Sequence, residues 1–275
     1  MNVVRRLKKS ARQTIETLPF GRDMVLYLER GGGGITYRGV YDSYDAAHAA
    51  VNPAVGDHYD RINVAKQERI GEGTEELDSW FFSYDYPLAF WLQKLLHGGA
   101  RRVFELGGSL GHFFYSAEQL LGYPEDLHWT VAELPAAVEL GARIAAERDE
   151  ARLSFVDSAA PDVEAPIDVF MTAGTLQYMD SSLEDVIGRF AQRPKHVLVH
   201  KLPSHASRTF WTLQNLGSVE MPYRVSSRSG LAAAMDGLGY RLVGEWVQDR
   251  TIEIPFHLDL VVEGYLGYAF TLDRP

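Results

Sequence analysis

From residue 101 onward the sequence alternates short apolar runs with amphipathic stretches, and this alternation restricts the fold more than any other feature. Val103-Phe104-Glu105-Leu106, Trp129–Ala132, Leu153–Val156, Asp168–Met171 and His196–His200 read as short strands. Between them His112–Leu121, Ala136–Arg148 and Ser182–Phe190 carry helical spacing, the second entered at Pro135, a residue suited to a first turn. Arg228–Leu238 reads as a further helix stopped by Gly239, with strands Tyr240–Trp246 and Tyr265–Leu272 after it. Such alternation predicts an α/β fold with a mostly parallel sheet wrapped by helices. In a sheet of that kind the ligand crevice lies beyond the carboxyl ends of the strands, where the strand order reverses. Each residue that closes a strand is therefore a site candidate.

The first 80 residues have another texture. Residues 1–29 read as helical with a break at Pro19-Phe20-Gly21, and the run Gly31 to Gly34 marks a connection. Ser43 or Asp45 can cap a short helix through Ala50 that Asn52-Pro53 ends. Helical spacing recurs over Tyr59–Ile70 and over the aromatic stretch Phe81–His97. The expected division is a helical segment over 1–79 and an α/β domain over 80–275, with a substrate-shaping insertion around 203–226.

Hydrophobic residues make up 46% of the chain, enough for a full core, and the net charge is −10. That balance argues against nucleic acid or an anionic membrane as the main partner. The basic group Arg5, Arg6, Lys8, Lys9 and Arg12 reads as a solvated helix face. The chain has no cysteine, which excludes disulfides, thiolate metal sites and a thiol nucleophile. It has no apolar run of about 18 residues and no secretory-type apolar stretch at its N-terminus, so a cytoplasmic location is expected. No metal is expected either. His196 and His200 are four apart, roughly 13 Å on a strand, and no Asp-x-Asp pair occurs.

The bend after the first of these strands, Gly107-Gly108-Ser109-Leu110-Gly111, turns a strand into a helix and lets backbone approach a ligand. It fails the dinucleotide pattern G-x-G-x-x-G, because Ser109 and His112 stand at the second and third glycine positions. It meets G-x-S-x-G literally, the nucleophile elbow of a serine hydrolase, for which His200, His205 or His257 would be the downstream base. It also meets E-x-G-x-x-x-G through Glu105, Gly107 and Gly111. The strand tips separate the two readings. Glu133 lies 28 residues after Glu105, and Asp157 follows 24 residues later, each closing a strand. A nucleoside needs acceptors there for its ribose hydroxyls, whereas a hydrolase has no use for them.

With these residues in view the chain resembles the class I S-adenosylmethionine-dependent methyltransferases. The matching stretches are Phe104-Glu-Leu-Gly, Val131-Ala-Glu-Leu, Val156-Asp-Ser, Asp168 through Asp180, and the closing Gly239-Tyr-Arg-Leu-Val and Tyr265–Leu272. More narrowly it is similar to bacterial methyltransferases found in polysaccharide and secondary-metabolite gene sets, through Tyr37-Arg-Gly-Val-Tyr, Leu176-Gln-Tyr and Thr212-Leu-Gln-Asn. The resemblance implies a Rossmann-like, mostly parallel seven-stranded sheet with helices on both faces. It implies S-adenosylmethionine as cofactor, with Glu105, Gly107, Gly108, Ser109 and Gly111 at its methionine end. Glu133 would hold the ribose with Leu134 beside it as a further cofactor contact, Asp157 and Ser158 would touch the adenine, and Thr172 to Gly174 would line the methyl-transfer side.

A small-molecule acceptor is the expected partner, a small metabolite or sugar methylated on an oxygen or, as second choice, a nitrogen. In many relatives of this class a histidine follows the fourth strand as base; here Gln177 stands in the comparable stretch, so it orients the acceptor while Tyr178 packs or donates. His200 and His205, at the end of the fifth strand, are the base candidates, since imidazole titrates near neutral pH. Trp211, Gln214 and Arg224 in the insertion are expected to shape the acceptor pocket, Arg224 by pairing an acidic group. The aromatics Trp80, Phe81, Phe82, Tyr84 and Tyr86 are candidates to cap the cofactor, and the helical front segment is a candidate homodimer contact. Gln177 in place of a base also leaves open a non-catalytic, cofactor-binding partner subunit.

Overall fold

The computed structural model describes residues 35–53, 81–159, 166–217 and 219–273. The helices expected over 1–29 and 59–70, the basic N-terminal group and Trp80 lie outside these residues.

The α/β alternation is present as read. Strands β2 (Arg102–Leu106), β3 (His128–Glu133), β4 (Leu153–Asp157), β5 (Val169–Ala173) and β6 (His196–His205) run parallel in the order β4-β3-β2-β5-β6. Strand β10 (Tyr265–Leu272) lies antiparallel between β6 and β9 (Tyr240–Gln248). These seven strands are the expected sheet. Helix α2 (Tyr86–His97) precedes β2, α3 (His112–Leu121) joins β2 to β3, and α4 (Pro135–Glu147) joins β3 to β4. Helices α5 (Leu183–Gly188) and α6 (Arg228–Gly237) follow β5 and precede β9.

Alternate side chains go to opposite faces, as the strand period of two demands. Val103 of β2 and Leu198 of β6 join a core with Leu88, Phe114 and Trp129, while Phe104, Val197 and Val199 join the other with Phe170 and Phe270. Because both faces are covered, the first four residues of β5 are fully buried, and the first three form an apolar run. The chain leaves β2 outward to β3 and β4, then returns to β5 on the other side. The strand order thus reverses between β2 and β5, and their carboxyl ends border the crevice.

Three further strands bring the connected sheet to ten. Residues Thr36–Tyr41, expected within a helical segment, form β1, whose Thr-Tyr-Arg-Gly-Val-Tyr composition is that of a strand. A short helix, α1 (Tyr44–Ala49), follows, capped by the Ser43 hydroxyl at 3.1 Å from Ala46 N. The insertion forms β7 (Phe210–Asn215) and β8 (Glu220–Ser227), and β1-β7-β8 pair antiparallel. Strand β6 runs five residues past its expected end, bending at Lys201 (φ 57) so that Ser204 and His205 pair with β8. The front of the chain is thereby fastened to the insertion.

One buried ion pair secures that attachment. Glu220, 1% exposed, takes both the Nε (2.6 Å) and the Nη2 of Arg38, and accepts from Asn52 N at 2.9 Å. Arg38 is part-exposed, so loss of its buried carboxylate partner costs about 1–3 kcal/mol. Glu220→Ala is therefore expected to lower the free energy of unfolding by about that amount in urea titrations; a change near zero would show the pair contributes nothing to the attachment.

Candidate functional site

Two groups of residues meet at the β2/β5 crevice. The first is built on the bend between β2 and α3. Gly107, Ser109 and Gly111 all take positive φ (77°, 55° and 83°), which compacts the bend and turns the first amides of α3 toward the crevice. At Gly107 a Cβ would lie 2.0 Å from Thr175 Oγ1, so the two bends flanking the crevice interlock only with glycine there. Thr175 Oγ1 also donates to the Gly107 carbonyl (3.4 Å), and Thr172 Oγ1 donates to the Leu106 carbonyl (3.0 Å). Thr172 is 1% exposed and its hydroxyl is spent tying β5 to β2, so it does not line the crevice as expected.

Glu105 lies beneath this bend. It is fully buried and accepts from Trp129 Nε1 at 2.9 Å, and its carboxyl would be struck at 2.6 Å by a Cβ on Gly108. Burial pushes the Glu105 carboxyl up to about 7, the Trp129 bond opposes this, and the Glu133 charge adds to it. Glu133 sits at the tip of β3: Oε1 accepts from Ser109 N (3.1 Å) and Oε2 from Leu134 N (2.8 Å). The carboxylate thus faces the glycine bend. Leu134 is 40% exposed beside it. At the tip of β4 the exposed Asp157 accepts from Ala159 N (2.8 Å), and Ser158 N donates to the Glu133 carbonyl (2.9 Å).

The second group surrounds a cleft of about 300 Å³ at the ends of β5 and β6. Gly174, with φ 76, and the 3₁₀ turn Leu176–Tyr178 form its floor. Gln177 is 4% exposed; its Nε2 donates to the Gly174 carbonyl at 2.8 Å, while its Oε1 is buried without a hydrogen-bond partner. An acceptor left this way costs about 1–3 kcal/mol. Tyr178 donates to Gln214 Oε1 (3.0 Å), and Gln214 Nε2 donates to the Tyr37 hydroxyl (3.0 Å). Tyr37, Tyr265 and Tyr223 then link their hydroxyls at 3.2 and 2.6 Å.

Asp85 ties this wall to the sheet. It is 2% exposed, in the turn before α2, and its Oδ1 meets His200 Nε2 at 3.2 Å and Lys201 Nζ at 2.9 Å. Burial alone would raise the Asp85 carboxyl, but these two bonds outweigh it and hold it below its usual range. Lys201 and Tyr84 both line the cleft, the ammonium 4.8 Å from the centre of the Tyr84 ring.

His200 is the clearest departure from expectation. Trp246 Nε1 donates to its Nδ1 at 2.9 Å, and an indole N–H can only donate, so the proton of the neutral ring is on Nε2, which faces Asp85. Burial lowers the His200 pKa, with Asp85 opposing. Both ring nitrogens are engaged at 1% exposure, which leaves none to take a proton from an acceptor. His205 is turned to its own loop, where Nδ1 accepts from Ser207 N and Arg208 N at 3.3 and 3.1 Å. Trp211 packs with Ala47 and Leu213 instead of lining the cleft. Arg224 is 6% exposed behind the 3₁₀ turn, donating to the Ser181 carbonyl at 2.9 Å, so it is not placed to pair a substrate. Ser109 Oγ has no histidine hydrogen-bonded to it among the described residues, and His257 is no exception. Asp85, Lys201, Arg250 and Gln248 are cleft or hub residues that sequence reasoning missed. Lys201 alone carried a signal, its place at a strand's carboxyl end.

No family model matches the chain, and no curated protein matches it in sequence. Among solved structures, the 1,6-didemethyltoxoflavin-N1-methyltransferase of Burkholderia thailandensis, with bound 1,6-didemethyltoxoflavin and S-adenosylhomocysteine, is 17% identical. The match covers 78% of this chain and 88% of that one, with a TM-score of 0.49. The mitomycin 7-O-methyltransferase MmcR is 15% identical over 94% of this chain and 70% of its own, at 0.48. At this level of similarity the reading of the site rests on the chain's own geometry.

The buried Glu105 fixes a pH dependence. Its folded-state pKa, about 7, lies above the usual 4.5, so the folded protein binds the extra proton. Stability from this group is full below pH 4.5, falls as pH rises toward 7, and is constant above. Glu105→Gln should therefore gain stability relative to wild type as pH rises from 4.5 to 7, read from paired thermal melts. A difference independent of pH would contradict the buried, raised carboxyl.

Proposed function

We propose that this protein is an S-adenosylmethionine-dependent methyltransferase acting on an oxygen, with nitrogen the second choice, of a small-molecule acceptor. The observation that carries the reading is Glu133. Its carboxylate closes β3 and faces the positive-φ bend through the Ser109 amide. That is the chemistry a vicinal ribose diol requires. The exposed face of Leu134 suits a purine, and Asp157 with Ser158 offers polar groups to its amino edge. The bend of Gly107, Gly108, Ser109 and Gly111, above Glu105, would receive the methionine end.

When bound, the cofactor supplies a methyl group on a positively charged sulfur. The protein's part is alignment, which alone removes a large share of such a barrier. Gln177, fixed through Gly174, orients the acceptor, and Tyr178 and Gln214 brace one another across the cleft. His200 positions Asp85 and through it Lys201. Among the described residues that line the cleft none has an open base nitrogen or carboxylate, so the acceptor reacts as an ionised group or releases its proton to water. Gln177→Leu should lower kcat at saturating cofactor while leaving cofactor affinity unchanged.

Calorimetry with S-adenosylhomocysteine tests the assignment. Wild type is expected to bind, and Glu133→Ala to bind more weakly by about 1–3 kcal/mol, the cost of leaving the bound ribose hydroxyls without their acceptor. Equal binding by the two would remove Glu133 from the site. A fluorophosphonate that labels wild type but not Ser109→Ala would replace this reading with a serine hydrolase.

A further inference from the structure

The described residues lining the cleft include two cations, Lys201 and Arg250, and no carboxylate, in a chain of net charge −10. Lys201 is compensated by Asp85. Arg250 makes no ion pair with a described residue; its guanidinium lies 5.3 Å from the centre of the Tyr265 ring. The cleft therefore presents one cation whose charge is not balanced within it, which disfavours a cationic ligand and favours an anionic one.

The tyrosines add a donor that can be counted. Three hydroxyls bring three protons, and the links Tyr37–Tyr265 and Tyr265–Tyr223 use two. Gln214 Nε2 donates to Tyr37 and so consumes none. Whichever way the links run, one phenolic proton is left over, and in two of the three arrangements it is on Tyr223 or Tyr265, which line the cleft. Two amide oxygens supply the opposite need. Gln177 Oε1 and Gln248 Oε1 are buried with no hydrogen-bond partner, and both residues line the cleft. The orientation of Gln177 is fixed, because only its nitrogen can face the Gly174 carbonyl.

We propose that the cleft selects a small carboxylic acid that also carries a hydroxyl or amino group. The carboxylate is held by Arg250 and the spare tyrosine proton, and the hydroxyl or amino hydrogen is donated to Gln177 Oε1, with Gln248 as the second acceptor. The assignment rests on the methyl-transfer reading only in calling this molecule the acceptor; the binding chemistry belongs to the cleft itself.

The test is calorimetry on the full chain with and without S-adenosylhomocysteine. The probes are 3- and 4-hydroxybenzoate, 3-aminobenzoate and tyrosine, each matched with its methyl ester, and benzoate as the analogue lacking the second group. Wild type is expected to bind at least one acid about tenfold more tightly than its ester, and more tightly than benzoate by a similar factor. Arg250→Ala, a change at an exposed side chain, should abolish the preference over the ester and keep the preference over benzoate. Gln177→Leu should do the reverse, with Gln177→Met as a second variant and melting temperatures as the check on folding. Esters binding as well as acids, no probe binding, or an acid preference that survives Arg250→Ala would overturn the proposal. Acid selectivity intact in a protein that does not bind S-adenosylhomocysteine would instead overturn the methyl-transfer reading and leave this site standing.

Discussion

The reversal of strand order between β2 and β5 is the constraint from which the rest of the structure follows. Connections that leave in opposite directions cannot both cover the strand ends they depart from, so a crevice is unavoidable. The chain furnishes its two sides with bends that interlock. Gly107 has no room for a Cβ against Thr175, and the Thr175 hydroxyl reaches back to the Gly107 carbonyl. Thr172 repeats the tie one step deeper, to the Leu106 carbonyl. The sheet below is held closed while the crevice above stays open.

Around that crevice, charge is placed by burial. Glu105 is kept under the bend by Trp129 and by the tight approach of Gly108, where desolvation and the Glu133 charge resist its ionisation. On the other side, Asp85 is equally buried but satisfied by His200, Lys201 and the Phe82 amide, and it stays ionised. Two carboxylates in one protein are thus shifted in opposite directions because one has cationic and N–H partners and the other has a single indole. The same arrangement explains His200: an imidazole locked between an indole and a carboxylate is a strut.

Much of the first half of the site was legible in the sequence, because it is local. The bend, the strand before it and the acids closing β3 and β4 are each a few residues long, and the alternation that predicts a parallel sheet also says which end of each strand matters. The second half was not legible. Its tyrosine triad joins Tyr37, Tyr223 and Tyr265, and Asp85 reaches His200 across 115 positions. Strand β1 was hidden in a segment whose neighbours read as helical, although Tyr37 and Arg38, both part of the resemblance, are the residues that fasten it. Arg224 misled because a lone arginine in an insertion gives no sign of whether its partners are ligands or backbone carbonyls; here they are carbonyls of the turn after β5.

The central claim is spatial: the carboxylate at the tip of β3 and the glycine bend together clasp a nucleoside. A crystal structure of the protein soaked with S-adenosylhomocysteine tests it most directly. The account predicts both ribose hydroxyls within hydrogen-bonding distance of Glu133, with the amino-acid end of the ligand over Gly107 to Gly111. Density for the nucleoside elsewhere, with no ligand atom within hydrogen-bonding distance of Glu133, would contradict it.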